Sequence, residues 1–128
     1  MTSRRGFLRS LAVLGAASAS PLKAQSPRFA SYPFSLGVAS GYPSADGVVL
    51  WTRLTGVDPV AVTLHWELAA DEAMNAVLLS GTQTVAPAWA HSAHVEVRGL
   101  ARDRWFWYRF RAGDAQSPVG RTRTAPAA

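Results

Sequence analysis

The chain has 128 residues, 48% of them hydrophobic, a formal net charge of +5 and no cysteine. That length holds one domain, and the missing thiols exclude disulfides, thiolate metal sites and cysteine nucleophiles. Of thirteen basic residues four (Arg4, Arg5, Arg9 and Lys23) precede residue 25, leaving nine against eight acidic ones. Nucleic-acid binding needs a basic face on the folded domain, and this balance argues against one. No run of eighteen apolar residues lies beyond the leader, so no stable membrane span is expected.

The first residues read as an address. Ser3-Arg4-Arg5-Gly6-Phe7-Leu8-Arg9 matches the twin-arginine export signature at Ser3, Arg4, Arg5, Phe7, Leu8 and Arg9. A short apolar stretch, Leu11 to Ala17, then leads to Pro21, Lys23 and Ala24, the plan of a cleavable signal peptide. Residues 1–24 are therefore expected to be a signal recognised by the twin-arginine translocation machinery, cut after Ala24 or, second, after Ala19. Residues 25–33 form a lead-in, 34–124 the folded domain, and 125–128 the start of a linker.

From Phe34 the chain breaks into short β-like runs punctuated by turn residues, which predicts an all-β sandwich of seven strands, immunoglobulin or fibronectin type III-like. The runs are Phe34–Ser40, Val48–Leu54, Val60–Leu68, Ala76–Thr84, Ser92–Val97, Arg104–Arg111 and Val119–Thr124. The third alternates most clearly, with Val60, Val62, Leu64, Trp66 and Leu68 on one face. Ala69 to Met74 reads as a helical turn or a loop, Ser80-Gly81 as a bulge, and Val85–Ala90 as a connection. Trp51 and Trp66 are expected to pack as a core pair.

Chemistry is sparse in this pattern. His91-x-x-His94 on a strand would point its two rings to opposite faces, so it does not read as a metal pair. His65 falls on the polar face of its strand. Ser40 and Ser92 lack a nucleophile elbow, and the glycines are scattered through turns without a phosphate-cradling loop. No catalytic, cofactor-binding or metal-ligating residue is assigned. The sixth run offers a surface instead: Phe106, Tyr108 and Phe110 share one face, and Trp105, Trp107, Arg109 and Arg111 share the other. The second set is the candidate interdomain interface.

Several ordered stretches carry a family resemblance. Phe34 to Pro43, Asp46 to Leu54, Trp66-Glu67-Leu68-Ala69-x-Asp71, Ser80-Gly81, Gly99-Leu100 through Trp105-x-Trp107-Tyr108-Arg109-Phe110-x-Ala112-Gly113, and Ser117 to Pro126 together resemble the N-terminal domain of alkaline phosphatase D-like proteins. Two positions depart from the pattern. Tyr42 stands where the family usually has an acidic residue before proline, and Phe106 where it often has a tyrosine able to lock a corner through its hydroxyl.

The resemblance implies a secreted phosphohydrolase acting on phosphomonoesters or phosphodiesters. Its metallophosphatase domain would follow this one and hold calcium and iron, so clustered cations can stabilise attacking and leaving oxygens. On that reading the present chain is noncatalytic and has no cofactor, its partner is the downstream metallophosphatase domain, and its location is periplasmic or extracellular. The alternatives are a free-standing exported fibronectin-like binding module and the product of a decayed reading frame.

Overall fold

The computed structural model describes residues 28–127. Among them lie eight strands: β1 (Val38–Gly41), β2 (Val48–Arg53), β3 (Val62–Ala69), β4 (Val77–Val85), β5 (Ser92–Val97), β6 (Trp105–Ala112), β7 (Ala115–Gln116) and β8 (Gly120–Arg123). They form two antiparallel sheets, β1-β2-β5 and β4-β3-β6-β7, with β8 also paired to β6. The all-β sandwich expected from the strand rhythm is the fold.

The core follows from period-2 alternation. Val48, Leu50 and Thr52 of β2 and Ala93, Val95 and Val97 of β5 face Leu64 and Leu68 of β3 and Phe106, Tyr108 and Phe110 of β6, all buried. Phe34, fully buried, plugs the middle from the segment before β1, where Gly37 N–H bonds the Phe34 carbonyl at 2.9 Å. That turn makes β1 shorter than the predicted first run.

Trp51 and Trp66 do not form a core pair. They belong to different sheets, and neither is fully buried. Leu50 and Thr52 both point inward, so alternation sends Trp51 outward, opposite His94 of β5. Trp66 stands opposite Gly81 and lies on its bare backbone, where an added Cβ would come within 2.8 Å of the indole. Gly81 is therefore a seat for a ring. The bulge expected there lies earlier: Leu68 pairs Leu79 and Ala69 pairs Val77, which leaves Leu78 as the extra residue. The β3–β4 connection is a turn closed by Asp71, whose carboxylate accepts from Asn75 N–H at 3.1 Å and Ala76 N–H at 2.8 Å.

The predicted seventh strand is β8, and a short strand the sequence reading did not include, β7, precedes it. Gly113 and Asp114 turn the chain tightly, pairing Ala115 with Ala112 and Gln116 with Arg111. Ser117 then interrupts the ladder. Its Oγ accepts from Phe110 N–H at 2.8 Å and donates to the Pro118 carbonyl at 2.9 Å, and Pro118 has no N–H to give the sheet. Pairing resumes with Tyr108 opposite Gly120, one residue out of register. The Tyr108 ring lies against Gly120, where a Cβ would sit 2.4 Å from it.

These contacts set two expectations. Alanine normally exceeds glycine in a strand by a few tenths to about 1 kcal/mol. At Gly120 the sign should reverse, because the buried Tyr108 cannot move away, with a loss of about 1–3 kcal/mol. Gly81→Ala should cost less, since the half-buried Trp66 can shift, and Gly41→Ala, with open space around it, should cost nothing. Denaturant midpoints rank the three, and a neutral Gly120→Ala would contradict the packing.

Burial raises the Tyr108 pKa above 10.0, with the Ser40 hydrogen bond opposing weakly. The folded state thus holds the phenol proton more tightly than the unfolded chain. Stability from this group is full below about pH 10 and is lost as pH rises through the higher folded value. Urea midpoints should fall above pH 10 in the parent and fall less in Tyr108→Phe; equal falls would remove Tyr108 as the cause.

Candidate interdomain surface

The outer face of the five-stranded sheet is built by the same alternation that fills the core. With Phe106, Tyr108, Phe110 and Ala112 inward, β6 presents Trp105, Trp107, Arg109 and Arg111 outward. The structure therefore brings the four candidate interface residues onto one face, but in different states. Trp105 and Arg111 are exposed at opposite ends of the strand, while Trp107 and Arg109 are half-buried in its middle.

Neighbouring strands decide those states. Glu67 of β3 stands directly opposite Arg109, and its Oε2 accepts from Arg109 Nε at 2.7 Å. Both side chains are about four-fifths covered, at 23% and 20% exposed, and Arg111 reaches the other carboxylate oxygen only at 4.0 Å. The centre of the face is thus neutralised within the domain. Arg111 borders a groove lined by Val60 to Thr63, His65 and Gly113, with His65 directly opposite it.

The other end of the face has a different character. Arg121 and Arg123 of β8 lie over the Trp105 ring, their guanidinium carbons 4.2 and 5.3 Å from its centroid. Arg123 is also paired with Asp103 at 2.5 Å, whereas Arg121 has no carboxylate partner among the described residues. Composition did not single out Arg121 or Arg123, because their relation to Trp105 depends on the register slip after Pro118.

Beside Trp105 three chain segments are laced together. Leu100 N–H bonds the Asp46 carbonyl, Ala125 N–H bonds the Ser44 carbonyl, and Asp103 N–H bonds the Ala125 carbonyl, at 2.9, 2.9 and 3.1 Å. Thr124, buried, adds its Oγ1 to Ala101 O at 2.7 Å and accepts from Arg104 N–H at 3.2 Å. The chain thus leaves β8 at a pole made by the β1–β2 and β5–β6 loops. Tyr42, in the first of those loops, is 90% exposed and holds φ of +50°.

Among the described residues no three His, Asp or Glu side chains converge as a metal would require. His91 precedes β5 instead of lying on it: it is buried at φ +54°, with Nε2 2.7 Å from the Val60 carbonyl. His94 is exposed on β5, and His65 on β3. The metals implied by the resemblance therefore find no ligand set on this part of the chain. The export motif Ser3, Arg4, Arg5, Phe7, Leu8 and Arg9 lies outside the described residues.

Comparison with known proteins agrees with this architecture. A family model described as PhoD-like phosphatase, N-terminal domain, matches residues 16–126. Alkaline phosphatase D of Bacillus subtilis is 48% identical over 108 residues, which are 79% of this chain and 18% of that protein. A solved structure titled "Structure of PhoD" superposes with a TM-score of 0.78 at 47% identity, over 80% of this chain and 21% of the other. A fibronectin type III domain of human collagen alpha-1(XX) superposes at 0.50 and 18% identity, covering 80% and 88%, and bears on the fold alone. The chain spans about a fifth of the length of the phosphatase relatives it matches. By the extent of the family match and by identity to a relative, the chain belongs to the PhoD-like phosphatase N-terminal domain family.

Proposed function

We propose that this chain is the noncatalytic N-terminal domain of an exported alkaline phosphatase D-like phosphohydrolase, whose ester hydrolysis is carried out by a metallophosphatase domain further along the same polypeptide. One observation carries the reading: nearly the whole folded chain is matched, yet it accounts for only 18% of the curated relative. The scattered positions of His65, His91 and His94 support the same division of labour, since two-metal phosphoryl chemistry needs ligands that converge. Calcium and iron, with the residues that hold them, are assigned to the downstream domain. The leader assigns delivery to the twin-arginine machinery and thence to the periplasm or the exterior.

The polypeptide encoded by the complete reading frame should hydrolyse a chromogenic phosphate ester and lose that turnover to a chelator. His65→Ala, His94→Ala and Asp114→Ala, all at exposed positions here, should each leave kcat within about twofold, whereas removal of a catalytic group costs about a hundredfold or more. A collapse in any of the three would place catalysis in this domain. A frame that contains no metallophosphatase region would favour the free-standing binding module.

Export gives an independent check. Replacing Arg4 and Arg5 together by lysine should strand the precursor in the cytoplasm, read by cell fractionation. Undiminished export of that variant would refute the twin-arginine assignment.

A further inference from the structure

We propose that the pole carrying Tyr42, Trp105 and the Arg121 guanidinium is the surface on which the downstream metallophosphatase domain docks, through a carboxylate that it presents to Arg121. The inference rests on the functional reading above and narrows the interface within this domain. Three independent observations meet at that pole.

The first is the route of the chain. Ala125 is held by its N–H and its carbonyl between Ser44 and Asp103, so the polypeptide leaves the sandwich beside these loops. Whatever follows is tethered there. Arg111, at the far end of β6, is six residues from Trp105, or roughly 20 Å along the strand. A closely tethered domain meets Trp105 before it meets Arg111.

The second is Tyr42. Left-handed backbone costs a non-glycine residue about 1–2 kcal/mol, and the position before Pro43 is further restricted toward extended geometry. Tyr42 nevertheless holds φ of +50° and projects a ring that is 90% exposed. It gains no burial within this domain to offset that cost. An aromatic side chain held outward by strained backbone is accounted for when a second surface covers it.

The third is charge. Arg109 already has its carboxylate, and Arg123 has Asp103. Arg121, stacked on Trp105, has a guanidinium pre-positioned by the ring and a free hydrogen-bonding edge. A planar cation on an exposed indole, 44% accessible, is the kind of anchor that interfaces favour, and its natural complement is an Asp or Glu. Interdomain interfaces of roughly 600–1,500 Å² need only a few such anchors.

Thiol accessibility in the complete polypeptide tests this. The chain has no cysteine, so Ala45→Cys in the β1–β2 loop and Ala88→Cys at the opposite pole, both exposed here, introduce single reporters nearly isosteric with alanine. Modification by a maleimide is followed by mass spectrometry of the peptide that carries each. Docking predicts that Cys introduced at 45 reacts about tenfold more slowly than Cys introduced at 88. The protection should be independent of protein concentration, and it should be released by Arg121→Glu and by Tyr42→Ser. Tyr42→Ser removes a side chain exposed in this domain, so its effect does not depend on refolding.

Equal rates at the two reporters would overturn the proposal, as would protection that survives both substitutions. Protection that grows with concentration would identify a second copy of the chain as the occupant and would also overturn it. Ester turnover by the same preparations keeps the two readings apart. Turnover with equal rates leaves the functional reading standing and removes the docking pole. Protection without turnover would remove the functional reading and, with it, the metallophosphatase domain as the occupant.

Discussion

Much of this structure depends on a ring lying on a glycine. Tyr108 crosses the bare backbone of Gly120 and closes against the core. Only a residue without Cβ admits that approach. The contact therefore sets the register in which β8 joins β6. From there the consequences run in order along the chain. Arg121 and Arg123 emerge on the outer face beside Trp105, Thr122 and Thr124 turn inward, and Ala125 arrives between two loops. A register one residue away would exchange the arginines and threonines between solvent and core.

The same outer face divides into a settled centre and an open end, and magnitudes explain the division. The Glu67–Arg109 contact at 2.7 Å is mostly shielded from water. Removing one partner there strands a charge, at a cost approaching the few kcal/mol typical of broken buried pairs. By contrast Arg98 lies 3.8 Å from Asp46 with both side chains largely exposed, a contact worth about 0–1 kcal/mol. The shielded pair holds β3 to β6 and leaves nothing over for a partner. At the Trp105 end, by contrast, an exposed indole and a guanidinium without a carboxylate partner among the described residues lie together.

What could be read in advance follows the range of the physics involved. The β6 alternation was legible because Phe106, Tyr108 and Phe110 recur at period two, and a strand has no other way to dispose of them. Trp51 misled because hydrophobic size suggests burial, whereas its parity with the buried Leu50 and Thr52 places it outside. The break between β7 and β8 hinged on the missing Pro118 N–H, a local signal, but the register of β8 hinged on Tyr108, a partner twelve residues back. The left-handed backbone at Tyr42 had no sequence signal, since tyrosine is not a residue that favours it. The outer face of β6 was legible as a list of side chains and not as a gradient from neutralised to open, because Glu67 and Arg121 come from other strands.

A β-sandwich also explains why no three His, Asp or Glu side chains converge among the described residues. Phosphoryl-transfer sites need several carboxylates and imidazoles turned toward one point, and in a sandwich the loops at a pole are where they can meet. Three aspartates do lie at the pole from which the chain leaves, and each has structural work. Asp71 closes the β3–β4 turn, Asp46 accepts the Ser44 hydroxyl at 3.0 Å and faces Arg98, and Asp103 holds Arg123. Freeing any of them for a cation would loosen the loop it organises. These loops are instead tied around Ala125 by the Ser44, Asp46 and Asp103 backbone bonds. A pole of this kind can orient a neighbour with respect to the sandwich, which is a role that requires stiff loops and exposed aromatic anchors, and no ligands.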